Sequence, residues 1–389
     1  MSGRAHHVAR CARYAHVVQL VTRARWDEIP GRWQDRSDDD AFPAFLAEQH
    51  LAHYVLRKIE TEGKTGLFPE GVVQRLRQEV ELRRAGVVGI PAALAEVVAA
   101  FDVARVECLV LKGMPFAARY FGDPTLRRLL DIDLLVRRAD ADRGLRVLLG
   151  LGYRPKRRRI RDAAEGPSIR PHRLRTEHAL GLRREVPVDL HWRLRTAPAY
   201  RVAESAVWTG AQEVAVGGVV CRAPSDECAL LLLLLSIAHD IGRSACRLKH
   251  LLDVRQILAS ADPHMDWAAF FERRREENVL RISVNVLWIV LDLFGGAEDF
   301  PRLAAELKRH ASQRVGQGGR ESILCVLREG RMANRLWFAR VYPVAWARDL
   351  LWLVDRYLSH PGRLLLVPWV LVRAGYWSAR RLLGTARPA

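Results

Sequence analysis

Two aspartates, Asp131 and Asp133, stand one residue apart in an aliphatic run with arginines on both sides, RRLLDIDLLVRR (127–138). Such a run is expected to be a buried strand, in which residues two apart share a face. Asp131, Asp133 and Leu135 then point one way, while Ile132, Leu134 and Val136 point into the core. Two neighbouring carboxylates repel and do not both stay ionised in a dry site. A divalent cation removes the conflict. Magnesium prefers carboxylate oxygens and completes its octahedron with water and phosphate oxygens. The pattern points to metal-dependent phosphoryl transfer; the plainer reading is two aspartates at an exposed strand end.

Two further features favour the chemical reading. Upstream, LVLKGMPFAARYF (109–121) sets Lys112 and Gly113 at a strand-to-helix turn. A glycine there lets backbone approach a phosphate, and the N-terminus of the following helix favours an anion. Downstream, VPVDLHWRL (186–194) carries a third aspartate in an alternating strand. Asp189, His191 and Arg193 share one face; Val188, Leu190 and Trp192 share the other. Three carboxylates on neighbouring strands could hold two magnesium ions, one activating an acceptor hydroxyl and one binding a triphosphate and its leaving group.

The elements that must position these residues follow from periodicity. Residues 1–100 read as helical, including AFLAEQHLAHYVLRKIE, PEGVVQRLRQEVELRRAGVV and PAALAEVVAAFD, with Pro91 suited to a first helical turn. VECLVLKG and LLDIDLLV read as strands, and ADRGLRVLLGLGY as a helix returning to the sheet. EHALGLRR with VPVDLHWRL, and EVAVGGVVCRA around its Gly-Gly, read as hairpins. After Ser225, a plausible cap, the chain returns to helix. The organisation is an N-terminal helical region (1–100), a small core of strands and helices (101–222) and a C-terminal helical region (223–389).

With 49% hydrophobic residues in 389, the chain can bury a large core. Its net charge of +18 favours anionic partners without choosing among them. The six cysteines form no CxxC pair, and the N-terminus lacks a continuous apolar stretch of the signal-peptide kind. A reducing, cytoplasmic location is expected. The apolar stretch 364–377 is too short to span a bilayer and contains Pro368 and Arg373. It reads as a buried helix and loop, with peripheral membrane contact as the alternative.

Taken together, LVLKG (109–113), RRLLDIDLLV (127–136), LGY (151–153), VDLHW (188–192), AHD (238–240) and RLKHLLDV (247–254) resemble the DNA polymerase β-type nucleotidyltransferase superfamily. More narrowly, they resemble the bacterial group of uncharacterised nucleotidyltransferases. The likeness covers roughly residues 90–260 and is most specific at the DID and DLHW motifs. It implies an α+β fold, a small mixed sheet flanked by the two helical regions. It also implies transfer of a nucleoside monophosphate from a nucleoside triphosphate to a hydroxyl-bearing acceptor, with pyrophosphate released. Asp131 and Asp133 become the paired metal ligands, Asp189 a third ligand or the base, and Gly113 the phosphate-loop glycine. Lys-Gly stands here where Gly-Ser or Gly-Gly is usual, and Leu130 where a small or polar residue commonly precedes the first aspartate.

Supporting roles are expected of residues nearby. Lys112 and Arg127 are candidates for phosphate binding, Arg127 equally for fixing the loop by pairing with an acid. His191 is a candidate to orient Asp189 or bind phosphate; Arg247 and Lys249 are candidates to reach the triphosphate from a helix. The segment 154–175 carries nine Lys/Arg and reads as a solvated loop or as a surface for an anionic acceptor. It lacks the interleaved aromatics of a single-strand platform, which favours a small-molecule, peptide or protein acceptor over RNA. Two other readings stand beside this one: a catalytically silent nucleotide-binding or regulatory module, and a phosphohydrolase built on His239–Asp240, whose spacing is poor.

Overall fold

The computed structural model describes residues 2–30, 38–156, 160–163, 166–169, 179–194, 200–242, 245–315 and 341. Five helices come first: α1 (Ser2–Thr22), α2 (Asp38–Glu48), α3 (Ala52–Thr61), α4 (Glu70–Val88) and α5 (Ile90–Val103). The reading of 44–60 as one helical stretch is interrupted. His50 takes a positive φ of 59°, which ends α2 and turns the chain into α3.

A mixed five-stranded sheet follows, in the order β1-β2-β7-β6-β3. Its strands are β1 (Cys108–Val110), β2 (Ile132–Val136), β3 (Arg154–Pro155), β6 (Ala179–Arg183) and β7 (Val188–His191). β1 and β2 are antiparallel, β2 and β7 parallel, and β7-β6 and β6-β3 antiparallel. Helix α6 (Met114–Phe121) leaves β1, and α7 (Ala141–Gly150) leaves β2. The expected hairpin around Gly217 and Gly218 is β8 (Gln212–Val216) with β9 (Val219–Ala223). Both glycines take positive φ, 59° and 80°, as a tight hairpin turn requires. The basic stretch after β3 is more structured than the loop expected from its composition. It contains a small hairpin, β4 (Ile160–Ala163) and β5 (Gly166–Ile169), whose Ile169 N–H donates to Asp142 on α7 at 2.6 Å.

Five helices continue the described chain: α8 (Glu204–Thr209) before β8, then α9 (Asp226–Gly242), α10 (Leu248–Ala261), α11 (Trp267–Glu276) and α12 (Leu280–Phe294); α13 (Pro301–Arg309) closes the series. Ser225 caps α9, its hydroxyl accepting from the Cys228 N–H at 3.4 Å. The first four helices and the last five share one hydrophobic core, in which Val17, Leu46, Ile59 and Leu76 pack with Leu234, Leu251, Phe270 and Val286. Helix α5 packs elsewhere. Its Leu94, Val97 and Phe101 join Leu145 and Leu148 of α7 against Ile132, Leu134, Val188 and Leu190, covering one face of the sheet. On the other face a smaller cluster of Leu109, Leu135, Leu194, Val207 and Trp208 covers only one end. The uncovered end of that face carries the aspartates. No helix among the described residues is long and apolar enough to cross a membrane. The stretch 364–377 lies outside the described residues.

Candidate active site

Strand register assembles the site. β1 pairs with β2 through Leu109↔Leu135 and Val110↔Leu134. The Leu111 N–H extends the pairing by donating to the Asp133 carbonyl at 3.0 Å. That register delivers Lys112 and Gly113 to the start of β2. Gly113 caps α6 with φ 85° and ψ −130°. An added Cβ would come no closer than 3.6 Å, to the Asp131 carbonyl, so the backbone angle rather than crowding calls for glycine. Asp131 sits just before the strand, which begins at Ile132.

The parallel pairing of β2 with β7 sets Asp133 opposite Asp189 and Leu135 opposite His191. Register partners on adjacent strands present their side chains to the same side. Asp133, Asp189 and His191 therefore share the open face, while Val188 and Leu190 are buried in the core behind. Trp192, 1% exposed, is packing in that core, as expected.

Asp133 is 5% exposed and holds two partners: Lys112 Nζ lies 3.3 Å from Oδ2, and His191 Nε2 lies 3.0 Å from Oδ1. Burial alone would raise this carboxyl. The Lys112 charge and the His191 contact outweigh burial and hold it well below the ordinary range. Asp131 moves the opposite way. Burial and then the Asp133 charge push its pKa up, with Lys112 opposing. The Lys112 ammonium is in turn strengthened, chiefly by Asp133. His191, a candidate to orient Asp189 or bind phosphate, has its Nε2 on Asp133, diagonally across the strand pair.

Arg127 fixes the loop before β2. Its Nε and Nη2 donate to Asp253 Oδ1 and Oδ2 of α10 at 2.8 and 2.9 Å, and both side chains are buried. The guanidinium also lies 5.0 Å from the centre of the Phe116 ring on α6. This is the expected pairing with an acid, and Arg127 also lines the cleft beside Asp131. Burial would raise Asp253, but the Arg127 charge and hydrogen bonds hold it low.

A cleft opens between this sheet end and the helices α9 and α10. Its lining includes Gly113, Leu130, Asp131 and Asp133 on one wall and Asp240 and Lys249 on the other. Lys249, at the first turn of α10, keeps partial contact with the cleft. Desolvation, helped by the like charge of Arg127, pulls its ammonium down to about 7. His250 beside it is pulled down to about 3, again first by burial and then by Lys249. Arg247 is not brought to the cleft. It flanks α10, and its Nε donates to the Glu48 carbonyl at the end of α2, 3.0 Å away. His239 lies against Tyr200, its Nε2 3.4 Å from the hydroxyl.

Two participants were not picked out from the sequence as partners. One is Asp253 as the mate of Arg127. The other is Lys156, whose Nζ lies 2.8 Å from Asp189 Oδ1. The available signal was Gly181, since a glycine inside a strand often marks a close approach. Of the basic segment's other cations, Arg154 donates to the Tyr153 carbonyl at 2.9 Å. Arg157, Arg158, Arg159, Arg170, Arg173 and Arg175 fall outside the described residues.

Among the described residues, no three His, Cys, Asp or Glu side chains are gathered as a metal-holding group. Ammonium groups meet two of the acids: Lys112 at Asp133 and Lys156 at Asp189. The donor type itself suits magnesium: carboxylate oxygens, from Asp131 and Asp133 on the cleft wall and from Asp189, the register partner of Asp133.

Comparison with known proteins gives a family and one structural likeness. Residues 35–295 match the family described as uncharacterised nucleotidyltransferase. No curated protein matches the chain. Among solved structures, the antibiotic-resistance factor ANT(2'')-Ia is similar over 58% of this chain and 95% of that one, at 17% identity and a TM-score of 0.34.

Proposed function

The chain belongs to the uncharacterised nucleotidyltransferase family, and from that premise we propose that it is a magnesium-dependent enzyme. It moves a nucleoside monophosphate from a nucleoside triphosphate to a hydroxyl on a small molecule, peptide or protein, releasing pyrophosphate. The observation that carries this reading is the register pairing of Asp133 with Asp189, beside a glycine turn that opens α6 against Asp131. Carboxylates and a phosphate-accepting turn then meet at one cleft.

Asp131, Asp133 and Asp189 would hold magnesium, which when bound supplies the positive charge that acidifies an acceptor hydroxyl and screens the triphosphate. The protein's own groups do the rest. Gly113 lets the first N–H groups of α6 face the phosphates, and the helix dipole favours their charge there. Lys112 adds a mobile point charge beside Asp133. His191 steadies the Asp133 carboxylate. The Arg127–Asp253 pair holds the loop that delivers Asp131. Lys249 faces the same cleft from α10 and offers a cation to the triphosphate at or below neutral pH.

The test is incubation with each labelled nucleoside triphosphate, magnesium and a cell extract. Label should pass to one acceptor species, and Asp131→Asn and Asp133→Asn should each reduce transfer by ~10²-fold or more. Tight nucleotide binding with no transfer in any extract would favour the silent binding module instead.

A further inference from the structure

Lys156 has three connections to the site. Its backbone N–H donates to the Gly181 carbonyl at 3.0 Å, which fixes its Cα beside β6. Gly181 is the register partner of Asp189 across the β6–β7 pair. The side chain then crosses the space that a residue at 181 would fill: a Cβ there would stand 2.8 Å from Lys156 Cδ and 3.0 Å from Asp189 Oδ1. Its ammonium ends 2.8 Å from that same oxygen. A glycine in mid-strand weakens a sheet, since it packs nothing and gives up more chain entropy. Here its position opens a channel for one lysine to reach one carboxylate.

We propose that Lys156 is an exchangeable internal counter-ion of the site, holding the position at Asp189 that a divalent cation must take. The inference rests on the reading of Asp189 as a metal ligand. Without the cation, Asp189 stands opposite Asp133 across the strand pair, and Lys156 supplies the opposite charge at 2.8 Å. Lysine suits an exchangeable role. It binds as a single flexible point charge, and this pair is about one-third exposed on both sides, at 34% and 31%, so water can replace either partner. Divalent-cation binding is therefore a competition, and the site's affinity is set below what its carboxylates alone would give. Once displaced, Lys156 remains tethered at Gly181, a cation at the mouth with an anionic phosphate as its natural next partner.

The experiment is titration of the full chain with manganese(II) chloride without nucleotide, read by the loss of the free-ion electron paramagnetic resonance signal. Three proteins are compared: wild type, Lys156→Met and Lys156→Arg, each checked for folding by thermal denaturation. Lys156→Met should bind manganese about fivefold to tenfold more tightly, because a competing charge is gone. Lys156→Arg keeps the charge and should stay near wild type. If Lys156→Met does not fold, Lys156→Gln, neutral and polar, replaces it with the same expectation. Equal binding by all three proteins, or equal tightening by Met and Arg, overturns the inference and leaves the proposed function standing. No manganese bound by any of them overturns that reading of the site, and the inference with it.

Discussion

The helical side and the sheet side of the site hold acids in opposite ways. Toward the helical region, Arg127 and Asp253 make a two-pronged, buried ion pair between the loop before β2 and α10. On the sheet, Asp133 and Asp189 are met by the single ammonium groups of Lys112 and Lys156, which keep solvent contact. A planar guanidinium bound through two nitrogens and sealed from water has nowhere else to go. An ammonium at the end of a flexible stem can be replaced. The first arrangement locks geometry; the second keeps carboxylates neutralised while leaving them available. The difference suits the helical side to structure and the sheet side to the exchange proposed for Lys156.

The largest stability effect expected tests the locked side. Arg127→Met or Asp253→Asn alone should cost about 3–5 kcal/mol in denaturant unfolding, because each leaves a buried charge without its mate. Replacing both by apolar residues should recover much of the loss. On the sheet side, Lys156→Met should cost less than about 1 kcal/mol in the same assay, as a solvent-accessible pair does. Equal losses on the two sides would erase the distinction.

The paired aspartates offer a second contrast. Both asparagine variants are expected to lose transfer, but their stabilities should diverge. Asp131 has its pKa raised by burial and by Asp133, so its charged form is a burden, and Asp131→Asn should hold or raise stability at neutral pH. Asp133 has its pKa lowered by its partners. Its charged form stabilises the fold above the ordinary carboxylate range, and that contribution is lost as pH falls through the depressed value. Asp133→Asn should therefore be destabilising at neutral pH and more nearly neutral in strong acid. The relief of repulsion that the DID spacing suggests for both residues applies to Asp131 only, because Lys112 and His191 already compensate Asp133. Thermal melts of the two variants across pH decide this, and matching profiles would contradict it.

The smallest effect concerns Lys249. Its pKa is lowered to about 7, so the side chain is charged below that pH and neutral above it. Nucleoside triphosphate affinity should weaken by a few-fold as pH rises from about 6 to 8.5, and Lys249→Met should flatten that dependence. Calorimetric titration of both proteins, with the nucleotide's own ionisation common to each, isolates the lysine. A slope that persists in the variant would assign the pH dependence to another group.

Much of this site was legible in the chain before any fold was known. The alternation in VDLHW fixed which residues of β7 face together, since a strand's period is two. LVLKG followed by a helical pattern marked a strand-to-helix turn at Gly113, and VGGV marked a hairpin. These are local facts, set by sterics over a few residues. What the tertiary structure decided involves residues far apart. Asp189 meets Asp133 through a parallel register that no short window encodes. His191 reaches Asp133 diagonally across the strand pair. Arg127 found Asp253, 126 residues away, and Lys156 reached Asp189 over a glycine on the strand between them. The described helices before α5 and after β9 merged into one core, although their sequences read as two separate regions. Amphipathic faces state that they will be buried but not against what. A charge announces that it needs a partner, and only packing determines which one lies close enough and dry enough to answer.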